Sequence, residues 1–140
     1  MKTILSTFFV IAMAATTGCY AQNRVEVVID HVRDTTGMIR VGVFKDEASF
    51  LKKPVTARVV KATAGKVVAV FENVPPGEYA VSIIHDSNRN GKLDSNLFGM
   101  PKEGFGFSNN VMGSFGPPGF DKAKVVVSAS MTITIDTRYL

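Results

Sequence analysis

At 140 residues the chain has room for one domain around one hydrophobic core, and not for two. Its 46% hydrophobic and 20% charged residues sit near the globular average, which excludes a disordered chain and a polytopic membrane protein. The formal charge is +4, and Lys52, Lys53, Arg58, Lys61 and Lys66 are interrupted by apolar residues; they read as a solvated strand face, not as the clustered stripe with stacking aromatics that nucleic acid requires.

Residues 1–21 read as a signal peptide. Lys2 is their only charge, an apolar run covers residues 4–15, and small residues follow at Thr16, Thr17 and Gly18. The run is shorter than the roughly 20 residues of a spanning helix, so no transmembrane helix is expected. Two processing patterns overlap here. Cys19-Tyr20-Ala21 suits cleavage after Ala21, which leaves a mature chain from Gln22 without cysteine and therefore without a disulfide or thiolate metal site. Thr17-Gly18-Cys19 resembles a lipoprotein box that would leave a lipid anchor on Cys19, but Thr16 stands where a large aliphatic residue is usual. Soluble export to the periplasm or medium is the preferred expectation, with an outer-membrane lipoprotein as the alternative.

From Arg24 the apolar residues recur every second position, as half-buried strands require. Val25, Val27 and Ile29 form one such face, and Ile39, Val41 and Val43 form another after Asp34-Thr35-Thr36-Gly37, so the first two strands are expected as an antiparallel hairpin. Ala48 and Leu51, three apart, predict one or two helical turns ended by Pro54. Runs at 56–62 and 66–71 predict a second hairpin across Thr63-Ala64-Gly65. Pro75-Pro76-Gly77 predicts a turn, with Tyr79, Val81 and Ile83 alternating behind it, and residues 125–127 and 131–135 supply the last two strands. Tyr79 is expected to fill the core with its ring while its hydroxyl bonds nearby backbone. About seven strands give an all-β fold, a single antiparallel sandwich of Ig-like or prealbumin-like kind spanning residues 22–140.

Residues 85–121 break this rhythm with glycines at 91, 99, 104, 106, 113, 116 and 119 and prolines at 101, 117 and 118. They are expected as one long Gly/Phe-rich loop, the natural place for a site.

Within it, Asp86-Ser87-Asn88-Arg89-Asn90-Gly91-Lys92-Leu93-Asp94 follows the first nine positions of an EF-hand calcium loop. Asp86, Asn88, Asn90 and Asp94 would aim side-chain oxygens at Ca²⁺, Lys92 would offer its backbone carbonyl, and Gly91 would make the bend. Leu97 occupies the position of the bidentate Glu, so Glu103 is the candidate for the missing carboxylate, and weak binding of roughly 10⁻⁴ to 10⁻³ M is expected. The alternative is an Asx-rich turn that caps its own backbone without metal. Gly104 and Gly106 lack the third glycine and the strand-to-helix setting of a nucleotide fingerprint. Phe98, Phe105, Phe107, Phe115 and Phe120 either anchor the loop to the sandwich or line a ligand groove.

No serine lies in a nucleophile elbow, and the histidines are His31 and His85 alone. An enzyme reading, as a hydrolase or lyase of an envelope polymer, would need His85, Asp86 and Glu103 to converge on one cleft. The expectation is instead a non-enzymatic protein with no catalytic residue and an extracytoplasmic partner: a protein, a glycan or a small ligand.

Taken together, Pro75-Pro76-Gly77-Glu78-Tyr79-Ala80-Val81, then His85-Asp86 leading through Asn88-Arg89-Asn90-Gly91-Lys92-Leu93-Asp94, then Pro101-Lys102-Glu103-Gly104-Phe105-Gly106-Phe107-Ser108-Asn109-Asn110, resemble the DUF2141 family of bacterial exported proteins. Phe115-Gly116-Pro117-Pro118 and Phe120 fit it as well. The resemblance covers the whole expected mature chain and implies no catalytic residues. The Pro-Pro-Gly-Glu-Tyr turn is also similar to prealbumin-like and carboxypeptidase-regulatory-like sandwiches, which implies an accessory or binding module by fold analogy alone.

Overall fold

The computed structural model describes residues 22–140. The expected signal peptide at 1–21, with Cys19, lies outside the described residues. Eight strands follow in order: β1 (Asn23–Val32), β2 (Met38–Phe44), β3 (Thr56–Lys61), β4 (Gly65–Val74), β5 (Gly77–Asp86), β6 (Gly104–Phe107), β7 (Val125–Val127) and β8 (Met131–Asp136). One four-residue helix, α1 (Phe120–Ala123), precedes β7.

The strands form two sheets, β4-β1-β8 and β3-β2-β5-β6, with β7 paired to the start of β5. Alternation sends Val25, Val27, Ile29, Val67, Ala69, Phe71, Ile133 and Ile135 of the first sheet against Ile39, Val41, Val43, Tyr79, Val81 and Ile83 of the second. The result is the expected all-β sandwich, with one more strand than the alternation alone counted. Tyr79 behaves as expected: it is buried, and its hydroxyl donates to the Pro75 carbonyl at 2.9 Å.

Three local expectations are corrected. β1 and β2 are not a hairpin, because β1 pairs antiparallel with β4 and parallel with β8 while β2 joins β3 and β5. The chain instead arches from one sheet to the other, and Gly37 makes this possible: its φ is +74°, and a Cβ there would meet the Asp86 carbonyl oxygen at 2.1 Å. Nor are β3 and β4 a hairpin; they too lie in different sheets. The stretch after β2 is a braced turn, not a regular helix. Asp46 caps the Ser49 N–H at 2.8 Å, the Phe50 N–H reaches the Asp46 carbonyl at 3.0 Å, and Leu51 turns to a φ of 58° before Pro54.

The long loop is corrected as well, since residues 104–107 form β6, antiparallel to β5 and buried throughout. Its glycines are fitted, not flexible. A Cβ on Gly106 would come within 2.7 Å of Ile135 and 2.8 Å of the Asp136 carbonyl, and one on Gly104 within 2.5 Å of the Tyr139 ring. Phe105 and Phe107 therefore occupy the opposite, outward face.

Candidate functional site

Register places two rows of side chains across the outer face of the second sheet. Val59, Arg40, Ile84 and Phe105 are neighbours in one row, and Ala57, Gly42, Ser82 and Phe107 in the next. The second row starts with three small residues, so it forms a trough. Toward the β6 side the face is covered by an aromatic cluster in which Phe50 meets Phe44 edge-on at 5.4 Å and Phe120 at 5.9 Å, with Phe107 beside them.

Polar side chains pin that cover down. The buried Ser108 hydroxyl accepts the Val81 N–H at 2.9 Å and donates to the Ala123 carbonyl at 2.5 Å. Asn109 donates to the Lys122 and Lys124 carbonyls, Asn110 accepts the Asp136 N–H, and Glu47 accepts the Phe120 N–H. Ser108-Asn109-Asn110 thus closes the backbones of three different segments.

On the β2–β3 side the trough stays open. It is a groove of ≈ 930 Å³, overhung by Phe98 and Met100 from one loop and Met112 and Phe115 from another. Phe98 is 89% exposed, Leu97 and Phe115 fully so. Phe105, Phe107 and Phe120 anchor their segments as expected, but Phe98 and Phe115 anchor nothing.

The backbone at Phe98 is nevertheless braced within its loop. The Asn96 side-chain oxygen accepts the N–H groups of Phe98 (2.9 Å) and Met100 (3.1 Å), and the Asn96 N–H donates to the Met100 carbonyl at 2.8 Å. Below this tip, both Glu103 oxygens take backbone donors, Ser87 N–H at 2.9 Å and Asp94 N–H at 3.1 Å. Glu103 therefore buckles the two ends of loop 86–94 together.

Inside that loop, Asp86 is completely buried. One oxygen accepts the Asn90 N–H at 3.0 Å; the other accepts the Gly91 N–H at 2.9 Å and Arg40 Nε at 2.5 Å. Burial is the largest influence on its carboxyl and pushes the pKa up, but the Arg40 hydrogen bond and charge and the two backbone donors together hold it below the ordinary 3.8. Asn88 and Asn90 point their amide nitrogens at Asp94 at 2.5 to 3.0 Å, and their oxygens accept the N–H groups of Asn90 and Lys92.

Five of the six residues expected around calcium lie in the 86–94 loop and Glu103 reaches it through Ser87 and Asp94, but each carboxylate is engaged by donors of the protein itself, and the Arg40 guanidinium already supplies a positive charge to Asp86. Among the described residues no three His, Cys, Asp or Glu side chains group closely enough to hold a metal. A dication here would require Asn88 and Asn90 to turn their amides over and Arg40 to release Asp86.

His85 and Asp86 point to opposite sides of β5, so they do not share a cleft. His85 is completely buried near the end of β5, opposite Ile39 of β2. Its Nε2 contacts the Thr36 carbonyl at 2.7 Å, which can only accept, so Nε2 carries the proton and Nδ1 accepts the Tyr139 hydroxyl at 2.7 Å. Tyr139 in turn accepts the Arg33 N–H at 2.9 Å, and Arg33 stacks 3.9 Å above its ring. Sequence reasoning missed Arg40, Asn96, Ser108 and Tyr139; of these only Arg40 carried a signal, a lone cation in the otherwise apolar run of β2.

The architecture is that of a small all-β sandwich in which one sheet has a second, outward-facing apolar surface. The chain belongs to the family described as "Uncharacterized protein conserved in bacteria (DUF2141)", which matches residues 27–135. Among curated proteins and solved structures nothing matches the chain. Among the described residues no helix is long and apolar enough to cross a membrane.

Proposed function

We propose that the protein is an exported, non-enzymatic binding module that takes an apolar ligand into the open groove on the outer face of β2 and β3. The groove itself carries the proposal. Its volume lies within the roughly 300–1,000 Å³ of small-molecule sites, and Phe98 and Phe115 expose large rings on its rim where a free-standing fold would bury them. Export rests on the Lys2 and residue 4–15 pattern of the leader, and the mass of the mature N-terminus tests it: a chain starting at Gln22 or a lipid on Cys19 supports it, and an intact Met1 overturns it.

The loop at 86–94 serves in this reading as a metal-free clasp that fixes the rim. Arg40 does there what a bound cation does elsewhere, and Glu103 closes the ends. The absence of an enzymatic role is argued from His85, whose ring nitrogens are both committed to structural partners away from the groove.

A neutral, environment-sensitive apolar dye tests the groove. Its fluorescence should rise on binding to the wild-type protein, and Phe98→Ser combined with Phe115→Ser should abolish the rise without lowering the unfolding midpoint. Undiminished dye binding in that variant would sink the proposal. Thermal unfolding in EDTA and then in millimolar calcium tests the clasp: an unchanged midpoint is expected, and a midpoint that climbs with calcium but not magnesium would restore a Ca²⁺ site at Asp86, Asn88, Asn90, Lys92, Asp94 and Glu103.

A further inference from the structure

The charged side chains along the groove have one sign. Arg40, Arg58 and Lys92 line it, as does Leu140, the last residue of the sequence, and no Asp or Glu side chain does. Arg58 is directed away, with its Nε on the Val70 carbonyl at 3.2 Å and its guanidinium 5.8 Å from the Phe71 ring centroid. Arg40 and Lys92 remain, one on β2 and the other in the 86–94 loop that Asp86 ties to Arg40. Arg40 stands in the floor between Val59 and Ile84, and its Nη2 approaches the Gly91 position, next to Lys92.

Arg40 commits only Nε to Asp86. Among the described residues its two Nη groups make no hydrogen bond to the protein and stay open to solvent, the side chain being one-third exposed. Asp86 meanwhile shares its charge with two backbone N–H groups. Lys92 is exposed, and among the described residues it has no acidic partner within ion-pairing distance. One end of the groove therefore holds donors in excess of acceptors. Away from it the Gly42–Ala57 trough and the Met100, Met112, Phe98 and Phe115 rim are apolar.

We propose, building on the groove reading above, that the occupant is a free long-chain carboxylate, with its head on Arg40 and Lys92 and its tail along the trough beneath Phe98 and Phe115. A guanidinium presents N–H groups in a fork that matches a carboxylate, and a nearby ammonium adds charge without demanding geometry. The tail gains from leaving water, and the head is met by solvent-reached cationic donors that make no hydrogen bond to the protein beyond Nε. A neutral apolar ligand would fill the trough and leave the basic end unmatched.

The test uses the full mature protein and isothermal titration with hexadecanoate and with methyl hexadecanoate. The carboxylate should bind about tenfold or more tightly than the ester, the margin of one charge-assisted contact. Lys92→Glu, at an exposed position, should bring that ratio toward one with the unfolding midpoint unchanged, and Arg40→Gln should do the same in whatever fraction folds. Equal affinity for acid and ester overturns the carboxylate head but leaves the groove reading standing. If neither binds while the neutral dye still does, the long-chain ligand is wrong and the groove reading survives; if the dye fails too, both fall. Association only with vesicles containing acidic phospholipid, or self-association through the groove that Phe115→Ser abolishes, would overturn the proposal in favour of a membrane surface or a second copy.

Discussion

The outer faces of the two sheets differ in kind. On β4-β1-β8 the outward residues include Arg24, Glu26, Asp30, Lys66, Glu72, Thr132 and Thr134, and the charges pair among themselves: Arg24 with Glu26 and Glu72, Lys66 with Asp30. That face also carries Val28, Val68 and Val70, but the same alternation on β3-β2-β5-β6 delivers Gly42, Phe44, Ala57, Val59, Ala80, Ile84, Phe105 and Phe107 outward, with Arg40, Ser82 and Asp86 among them. A sandwich needs only one apolar face per sheet to build its core. The second apolar face exceeds what the fold requires, and only part of it is covered. The uncovered part, with its rim braced by Asn96 and Glu103, is where the sequence has spent residues on something besides folding.

Arg40 gives the largest expected effect. Arg40→Ala leaves Asp86 buried without its countercharge and should cost about 3–5 kcal/mol in denaturant unfolding. Arg24→Ala on the opposite sheet, where the pairs are exposed, should change stability by no more than about 0.5 kcal/mol. Similar losses in both variants would erase the distinction between the two faces.

An intermediate effect is expected from pH. The folded carboxyl of Asp86 lies below its ordinary 3.8, so its contribution to stability is present above that value and is lost as pH falls through the lower, folded one. Asp86→Asn should therefore be less stable than wild type near neutrality, with the gap closing below about pH 4. Asp30, Asp34 and Asp46 are also held low, each mainly by a hydrogen bond from a nearby residue, but they are common to both proteins and cancel in the difference. A gap that persists unchanged into acid would mean Asp86 is not held by charge.

The smallest effect sharpens the boundary between the covered and open halves. Ser108→Ala removes the hydroxyl that ties the 108–123 cover to β5 and should cost about 1–3 kcal/mol. Hydrogen exchange should quicken at Val81 and across 108–123 while the rim at 95–101 keeps its protection, because Asn96 and Glu103 hold the rim independently.

Period-two alternation revealed nearly every strand, because which face a residue occupies is written locally. Which strand lies next to which is not. Gly37 reads equally well as the end of a hairpin turn and as the close approach of an arch, and only the Asp86 carbonyl beside it decides. β6 had the alternation too, as Phe105 and Phe107 against Gly104 and Gly106, but glycine on a buried face looks like a loop until Ile135 and Tyr139 are seen to fill the space. The 86–94 pattern of oxygen-bearing residues was legible, while the groups that engage them were not: Arg40 is 46 positions away from Asp86, and a spacing rule cannot see a partner on another strand.

The parallel pairing of β1 with β8 also governs when the molecule can form. β1 is the middle strand of its sheet, and one whole flank, from Val25 to Asp30, is matched only by residues 131–136. Until β8 is in place, that flank is an open edge able to pair with another chain. Contacts of such sequence separation place the protein among slow folders, roughly milliseconds to seconds. Until β8 docks, the strip from Val25 to Asp30 is therefore the part of β1 most open to mispairing.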